Sequence, residues 1–394
     1  MFPEYNIHST PLLILAIQGS IFAILLLVRY SKLRNITDLF LGLILLITVW
    51  HQTGYTIGFM NWYDTYRNTK INYFLVSLSF FLAPFIYFYV KSISVPHFSL
   101  KKKDLYHFVP GILFVLFKVI VFVYDATQPG FDDSQNGYLV THLEFEYTNV
   151  IFGLIMTIQM FIYLALTAKR FYQYRKNLDH VFSNTYALQL NWIRNFLFIY
   201  IALFIYMSGQ SFINILITDL SWLQEWWYYL FTSIAIIYVG MVGYFTDTSP
   251  LNQIKPNESG LINQAIYNSA LLTKNAQANS IESNERLEML STYMQTEKPY
   301  LDPDLNLIEL AKSIKMTRAQ LSEVINTEFN KNFNDYINEQ RVDAVKEMLK
   351  AGKHKELSLL GIAYDCGFNS KATFNRVFKK WTGFSPSQYL KQLD

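Results

Sequence analysis

Seven long apolar stretches before Thr246 constrain this chain more than any other feature of its sequence. A helix needs roughly 20 mostly apolar residues to cross the bilayer core, which is about 30 Å thick. Helices are favoured there because every backbone polar group must be hydrogen-bonded within the segment itself. The sequence therefore predicts a seven-helix transmembrane bundle. Its predicted spans are residues 11–28, 37–59, 73–93, 105–124, 147–167, 193–218 and 222–245.

Composition agrees with a membrane part followed by a water-soluble part. The chain has 394 residues, too many for one ordinary domain, and only 16% of them are charged, against about 25% in a typical soluble domain. The net charge of +3 does not by itself indicate a nucleic-acid partner. The single cysteine, Cys366, excludes a disulfide framework and fits a reducing compartment, and we interpret it as a small core residue.

Positively charged side chains are concentrated in three of the six loops between the predicted spans. The second, fourth and sixth loops contain only Arg67 and Lys70, whereas the first, third and fifth contain twelve Lys and Arg residues. Loops rich in Lys and Arg stay in the cytoplasm, so the N-terminus is predicted to lie outside and the C-terminus inside. The twelve residues are Arg29, Lys32, Arg34, Lys91, Lys101, Lys102, Lys103, Lys169, Arg170, Arg175, Lys176 and Arg194.

Six polar side chains fall at comparable depth within the predicted spans, in the outer half or near the middle. Such groups cost free energy in hydrocarbon unless they find partners. One interpretation is a ligand pocket open to the exterior, for a small polar or anionic molecule with Lys118 as its counter-charge. The alternative is interhelical hydrogen bonding, with Lys118 extending towards the outer surface. The six residues are Gln18, His51, Gln52, Lys118, Gln210 and Asn214.

The C-terminal part contains two similar patterns, each with an apolar-periodic helix, a tight break and a second capped helix. The first begins at Asn306 and reads NLIELAKSIKMTRAQLSEVINTEF, and the second begins at Ser358 and reads SLLGIAYDCGFNSKATFNRVFKKWTG. A long amphipathic helix from about Phe333 to Leu349 joins them, and we interpret its Arg341 as structural. Helix-turn-helix units of this form present their second helix to a DNA major groove. The predicted helix N-caps are Asn306, Thr317, Ser358, Asn369 or Ser370, and Ser385.

The outward faces of the two second helices supply the candidate DNA-binding residues. Arg318, Arg376 and Asn375 carry side chains that suit guanine or adenine edges. Lys379 and Lys380 are expected to contact phosphates, because five basic residues and no acidic one lie between Ser370 and Lys391. The full candidate set is Arg318, Ala319, Ser322, Glu323, Asn326, Lys371, Thr373, Asn375, Arg376, Lys379 and Lys380.

At residues 374–389, 362–368 and 321–342 the sequences FNRVFKKWTGFSPSQY, IAYDCGF and LSEVINTEFNKNFNDYINEQRV carry a family resemblance. The segment from about 287 to 393 resembles the DNA-binding domain of AraC/XylS-family transcriptional regulators. The resemblance implies two recognition helices that enter successive major-groove segments on one face of the duplex. Seven spans ahead of such a domain resemble membrane-bound regulators of Bacteroidota. Gly361 and Lys315 depart from the family pattern, where an acidic residue and a glycine are common.

Together these observations predict an all-α protein: a seven-span membrane domain at 1–248, a linker and the start of a connecting helix at 249–286, and a double helix-turn-helix domain at 287–394. The expected function is a bacterial inner-membrane, sequence-specific DNA-binding regulator that couples a membrane or external signal to promoter binding. Its expected partners are double-stranded DNA, the lipid bilayer, a small-molecule or membrane-borne signal and a second copy of the chain. No enzymatic activity, cofactor or metal is expected, since HExxH, Walker and GxSxG motifs are missing. The alternative is a seven-helix transporter or transducer whose C-terminal domain docks a protein partner.

Overall fold

A computed structural model describes residues 3–66, 68–75, 77–95, 98–183, 190–246 and 280–393. Arg67 and most of the predicted linker, residues 249–279, lie outside the described residues. Within the described ranges the chain is helical and forms no strand, which confirms the all-α prediction. It divides into an N-terminal unit, Met1–Phe171 with Asn191–Ile254, and a C-terminal unit, Tyr172–Leu190 with Lys255–Asp394.

The N-terminal unit contains the apolar helices. Six of them are long and apolar enough to cross a membrane, and a seventh, α4, is shorter. A short helix, α3, and a π-helical segment at Val140–Thr148 accompany them. The helices are α1 (Ser9–Leu33), α2 (Ile36–Gly58), α3 (Trp62–Thr65), α4 (Ser79–Ser94), α5 (Val109–Ala126), α6 (Asn149–Val181), α7 (Asn191–Leu216) and α8 (Trp222–Phe245).

The third predicted span is the one that differs most from the structure. The sequence predicts it at residues 73–93, but α4 begins only at Ser79 and has 16 residues. Before it, Ile71–Tyr73 forms a separate 3-10 turn, and the Tyr73 hydroxyl donates to Asp125 Oδ2 at 2.7 Å. That hydrogen bond holds Tyr73 against the end of α5, so the segment is apolar without being one continuous helix.

Packing within the N-terminal unit is uneven. Helices α1, α2, α4 and α8 bury much of their surface against one another, with Leu12, Leu26, Ile44 and Ile86 fully buried. In contrast, α5, α6 and α7 leave most of their apolar side chains exposed. Apolar surface of this extent is unstable in water, at about 25 cal/mol per Å². Three helices therefore present a face that needs an apolar environment.

The C-terminal unit contains seven helices within the described residues, and side chains of the predicted residues cap five of them. Asn306, Thr317, Ser358, Ser370 and Ser385 each accept a hydrogen bond from a backbone N–H in the first turn that follows. Ser358 lacks a reciprocal partner because Gly361 has no side chain to return the bond. The helices are α9 (Ser280–Thr296), α10 (Leu307–Ser313), α11 (Arg318–Phe329), α12 (Phe333–Lys350), α13 (Leu359–Asp365), α14 (Lys371–Thr382) and α15 (Pro386–Leu390).

Two apolar cores lie side by side along α12. The first gathers Leu290, Leu310, Leu321 and Ile337, so it includes α9, α10, α11 and the start of α12. The second gathers residues from the end of α12, α13 and α14, including Cys366 at 1% exposure. Burial raises the pKa of the Cys366 thiol to about 12, which agrees with its interpretation as a core residue.

The two helix-turn-helix breaks use the same backbone conformation with different residues. Lys315 has φ +55° and Gly367 has φ +86°, both in the left-handed region. A side chain with a Cβ atom costs about 1–2 kcal/mol in that region, so the lysine makes the first turn the less favourable of the two. This is the consequence expected from the departure at Lys315.

Candidate nucleic-acid interface and membrane cavity

Helix α14 carries the Lys and Arg residues of the second helix-turn-helix unit. Lys371, Asn375, Arg376 and Lys379 are exposed, and they recur at helical spacing on one side of the helix. Ala372, which the sequence interpretation left out, is also exposed on α14. Its position follows from the same spacing, three residues before Asn375 and four before Arg376. This face of α14 is therefore basic, begins near the small side chain of Ala372 and includes no Asp or Glu of the helix.

Thr373 does not belong to that face, which makes its outward prediction wrong. Its residue is only 4% exposed, its N–H donates to Ser370 Oγ at 3.2 Å, and its hydroxyl pairs with the same oxygen at 2.9 Å. Thr373 is the third residue of α14, where a capping serine recruits the backbone N–H. The capping geometry turns its side chain towards the core.

Lys380 differs from its neighbour Lys379 because it already has an anionic partner. Its Nζ donates to Asp335 Oδ1 at 2.6 Å and lies 5.5 Å from the Trp381 ring centroid. Asp335 lies in the first turn of α12, so this pair joins the second recognition helix to the connecting helix. An exposed ion pair of this kind contributes about 0–1 kcal/mol. Lys379 is consequently the better phosphate-binding candidate of the two.

The corresponding face of α11 is mixed in charge. Ala319, Glu323 and Asn326 are exposed, and Ser322 is half-buried with its hydroxyl 3.3 Å from Asn326 Nδ2. Arg318 is also half-buried, and burial lowers the pKa of its guanidinium. Because α11 carries both signs of charge while α14 carries only positive charge, the second unit supplies most of the attraction for a polyanion.

In the N-terminal unit, four of the six polar candidates line one cavity of about 260 Å³. His51 and Gln52 reach it from α2, and Gln210 and Asn214 reach it from α7. Gln52 is 1% exposed, and its Nε2 donates to the Tyr229 carbonyl oxygen and to Ser233 Oγ. Helices α4, α6 and α8 complete the lining. The convergence expected of a pocket is thus present for these four residues.

Lys118 and Gln18 lie elsewhere, so the predicted counter-charge is wrong. Lys118 is 3% exposed and forms a buried ion pair with Glu144 in the π-helical segment. The ammonium group is therefore paired with a buried carboxylate and does not extend to the outer surface. Gln18 is exposed on the side of α1 that carries Ile14, Ile17 and Ile21.

The cavity's charged group is one that the sequence interpretation missed. Glu225, in the first turn of α8, accepts from the Tyr55 hydroxyl at 2.5 Å and from Asn214 Nδ2 at 3.1 Å. A signal for it was available, because a carboxylate one turn inside an apolar span is costly and needs a reason.

Comparison with known proteins concerns the C-terminal unit. Residues 310–392 match the family described as "Helix-turn-helix domain". The HTH-type transcriptional regulator CdhR of Pseudomonas aeruginosa is 28% identical over 106 residues, which cover 27% of this chain and 30% of the relative. An HTH-type transcriptional regulator encoded 5′ of cgkA in Pseudoalteromonas carrageenovora is 33% identical over 86 residues, covering 22% and 49%. The probable transcriptional regulator LumQ of Photobacterium leiognathi is 25% identical over 134 residues, covering 34% and 52%.

These matches are confined to part of each protein. The chain spans between about a third and a half of the length of these relatives. No solved structure matches the chain. The similarity to named regulators favours DNA binding over enzymatic activity, in agreement with the sequence-based prediction. The family match, the two capped helix pairs and the long helix between them lead to one conclusion: the C-terminal part of this chain is an AraC-type helix-turn-helix DNA-binding domain.

Proposed function

We propose that the protein is a sequence-specific transcriptional regulator of the bacterial cytoplasmic membrane, which couples the state of its membrane helices to promoter binding. The DNA-binding part of this proposal is supported by the exposed basic face of α14. The relatives named above as transcriptional regulators support it as well.

The exposed apolar helices support a place in the bilayer. Ile120 on α5, Ile158 and Phe161 on α6, and Phe198 and Ile205 on α7 are each at least 58% exposed in the chain. Lipid tails would cover such side chains without loss of free energy. The Lys and Arg bias between loops favours an external N-terminus and a cytoplasmic C-terminus, which places the DNA-binding unit where DNA is.

The main support for the coupling is that the residues of helix α6 divide between the N-terminal and the C-terminal unit. The residues of α6 up to Phe171 group with the N-terminal unit, whereas Tyr172 and the residues after it group with the C-terminal unit. We call Tyr172 to Ser183 the α6 tail. Within it Tyr174, Leu178 and Val181 are buried. One uninterrupted helix therefore contributes side chains to both units.

Ser183, at the end of the α6 tail, is bound on two sides. Its hydroxyl donates to the Leu305 carbonyl oxygen at 2.6 Å, directly before the Asn306 cap of α10. Its carbonyl oxygen accepts from Asn334 Nδ2 at 2.8 Å, and its hydroxyl oxygen accepts from Arg341 Nη2 at 3.1 Å, both on α12. Ser183 is 1% exposed, so these bonds form away from water. They connect the α6 tail to the first helix-turn-helix unit and to α12, the helix between the two helix-turn-helix units.

A shift or rotation of α6 would thus change the contacts that the α6 tail makes with α12 and with the residue before the cap of α10. If the two recognition units must keep a fixed spacing to meet successive grooves, a change at α12 alters the affinity for DNA. By thermodynamic reciprocity, DNA must then act back on α6 to the same extent in free energy. Reciprocity makes the coupling measurable without knowing the natural signal.

DNA binding is tested on the full-length chain in nanodiscs, with an operator selected from a random duplex library. We expect Lys379→Ala to weaken binding to every sequence and to lower the salt slope by roughly one. Arg376→Ala should cost about 1–3 kcal/mol on the selected operator and much less on random DNA. Lys353→Ala is the control, because Lys353 lies between the two helix-turn-helix units and pairs with Glu356 at 2.9 Å. Absence of salt-dependent DNA binding would favour a protein-docking role for this domain.

The coupling is tested by amide hydrogen exchange of the full-length chain in nanodiscs with and without saturating operator. We expect DNA to change exchange in the α6 tail and in the part of α6 before Phe171. Ser183→Ala removes the hydroxyl that bridges Leu305 and Arg341 but keeps the carbonyl oxygen that Asn334 binds, so it should reduce the response in α6 while DNA still binds. Tyr172→Ala is the matched control, since Tyr172 is 70% exposed on the same helix. Unchanged α6 exchange at saturating DNA in the unaltered protein would refute the coupling.

A further inference from the structure

The cavity in the N-terminal unit is charged in the opposite sense to the one expected from the sequence. Among the described residues that line it, Glu225 is the only Asp, Glu, Lys or Arg. Within the part of the chain that the structure describes, no Lys or Arg forms an ion pair with this carboxylate. It accepts hydrogen bonds from two neutral donors, Tyr55 and Asn214. The cavity therefore offers an unneutralised acid to whatever enters it.

Hydrogen-bond acceptors are in excess around the same cavity. Gln52 and Gln159 both line it, and the side-chain carbonyl oxygen of each is buried without a donor. The Gln52 amide nitrogen donates to the Tyr229 carbonyl oxygen and to Ser233. The Oε1 atom of Gln52 points away from that nitrogen and does not share these partners. Leaving buried acceptors unpaired costs free energy. An occupant that donates hydrogen bonds would recover this free energy.

Aromatic rings and methionine side chains form part of the remaining, mostly apolar lining. Tyr200, Tyr228 and Tyr229 contribute rings, and Met156, Met160 and Met207 contribute flexible thioethers. Aromatic faces attract cations, and methionine adapts to apolar groups of varied shape. The cavity volume of about 260 Å³ is far above the roughly 10–15 Å³ that one water needs. This is room for a small organic molecule.

We propose that the cavity binds a small organic cation: an ammonium group held by Glu225, attached to an aromatic or alkyl body that lies among the tyrosines and methionines. The ammonium group would donate hydrogen bonds to Glu225, and the aromatic or alkyl body would make van der Waals contacts with the tyrosine and methionine side chains. Glu225 lies in the first turn of α8 and Asn214 near the end of α7, at the end of these helices that the charge bias places outside. The ligand would enter from the exterior, as the sensed signal.

The test measures equilibrium binding of radiolabelled 2-phenylethylamine to the full-length protein in nanodiscs. The alcohol 2-phenylethanol has the same ring and chain length without charge, and 3-phenylpropanoate carries the opposite charge. We expect saturable binding of the amine, with both competitors at least tenfold weaker. Equal competition by the alcohol would overturn the proposal without any variant. Absence of saturable amine binding up to about 10 mM would overturn it as well.

Variants then identify the site. Glu225→Gln keeps the size of the side chain and deletes its charge, and it should weaken amine binding at least tenfold while leaving the alcohol unaffected. Glu146→Gln is the control, because Glu146 is an exposed carboxylate of the same unit that does not line the cavity. Unaltered amine affinity in Glu225→Gln would refute the assignment. If this variant fails to fold, Tyr55→Phe gives a second reading, since it removes a donor that competes with the amine for the carboxylate and should strengthen binding.

The regulatory meaning of this site rests on the proposed function, but the binding measurement does not. No DNA is present in it, so its failure leaves the operator-binding and exchange experiments untouched. Conversely, a chain that failed to bind DNA could still bind the amine. With both activities in hand, the amine should change operator affinity only if it prefers one arrangement of the helices.

Discussion

Replacing Gly367 by alanine is expected to destabilise the second helix-turn-helix unit by about 3–5 kcal/mol, from backbone strain and overpacking together. The residue has φ +86°, where a Cβ atom is disfavoured. An added Cβ would also lie 2.3 Å from the Tyr300 carbonyl oxygen and 2.9 Å from Arg341 Nε. Tyr300 cannot retreat easily, because its carbonyl oxygen accepts a hydrogen bond from that same Arg341 nitrogen at 2.7 Å.

The neighbouring Cys366 provides the measurement. It is the single cysteine of the chain and is 1% exposed in the core that Gly367 adjoins. Burial raises its pKa to about 12, so a thiol reagent reacts mainly after the core has opened. Each 1.4 kcal/mol lost should raise the native-state labelling rate about tenfold. Gly367→Ala should therefore accelerate labelling of the full-length protein by roughly 100-fold or more.

Gly383 provides the matched control. It has a similar conformation, φ +79°, but an added Cβ would meet no atom within 4 Å. Gly383→Ala should cost only the conformational part, about 1–2 kcal/mol, and accelerate labelling about tenfold. Equal acceleration by the two substitutions would show that the contact with Tyr300 contributes nothing.

Local signals in the sequence were sufficient for the helix ends. A capping side chain acts on N–H groups two or three residues away, so Asn306, Thr317, Ser358 and Ser385 could each be identified within one short window. The same holds for the left-handed turn at Lys315, which its place between two helices requires. Family resemblance then supplied the arrangement of the two units, which periodicity alone does not contain.

The predictions that proved wrong depend on a side chain's direction or on a distant partner. Thr373 was placed on the exposed face because its position fits that face loosely, but its part in the cap turns it inward. Lys118 was assigned to the pocket by depth alone, and depth does not specify which side of a helix a residue occupies. Its partner Glu144 lies 26 residues further along the chain, in a segment that reads as a loop.

The α6 tail was beyond the reach of sequence reasoning. Ser183 and Leu305 are 122 residues apart, and no pattern in either segment points to the other. The tail lies at the end of a predicted span and was read as a basic cytoplasmic loop. Only a view of the folded chain brings it against α12, where polar side chains such as Asn334 and Asn338 are buried for no reason visible in the sequence.

Substituting Arg341 by alanine is the second change with a large expected effect, about 3–5 kcal/mol, because a buried hydrogen-bond network loses its central donor and a large side chain leaves the core. Arg341 is 1% exposed, and burial lowers its pKa to about 10, so it remains charged at neutral pH. Its guanidinium donates to the carbonyl oxygens of Tyr300 and Asp302, each at 2.7 Å, and to Ser183 Oγ at 3.1 Å. These bonds offset the cost of taking the charge out of water.

Alanine would take the Arg341 donors from both carbonyl oxygens, leaving that of Asp302 with only the Leu305 N–H at 3.4 Å, and would open a cavity beside Gly367. We therefore expect faster Cys366 labelling, on the order of 100-fold, and weaker operator binding by the full-length chain. Arg341→Lys should fall between, because an ammonium group cannot reproduce the planar fork of donors. The control is Lys346→Ala, whose Nζ is paired with Asp343 at 2.8 Å on the surface of the same helix, with an expected change below about 1 kcal/mol.

A double-mutant cycle separates the structural role of Arg341 from its part in coupling. Ser183→Ala removes the hydroxyl from the same network, so its effect on Cys366 labelling should shrink once Arg341 is lysine. Additive effects of the two substitutions would mean that the α6 tail and the core of the second unit are energetically independent. A strong interaction energy between the two substitutions would instead mean that Arg341 links the two regions. The α6 tail would then act on Arg341 through Ser183, and Arg341 would act on the turn of the second helix-turn-helix unit through the Tyr300–Asp302 loop.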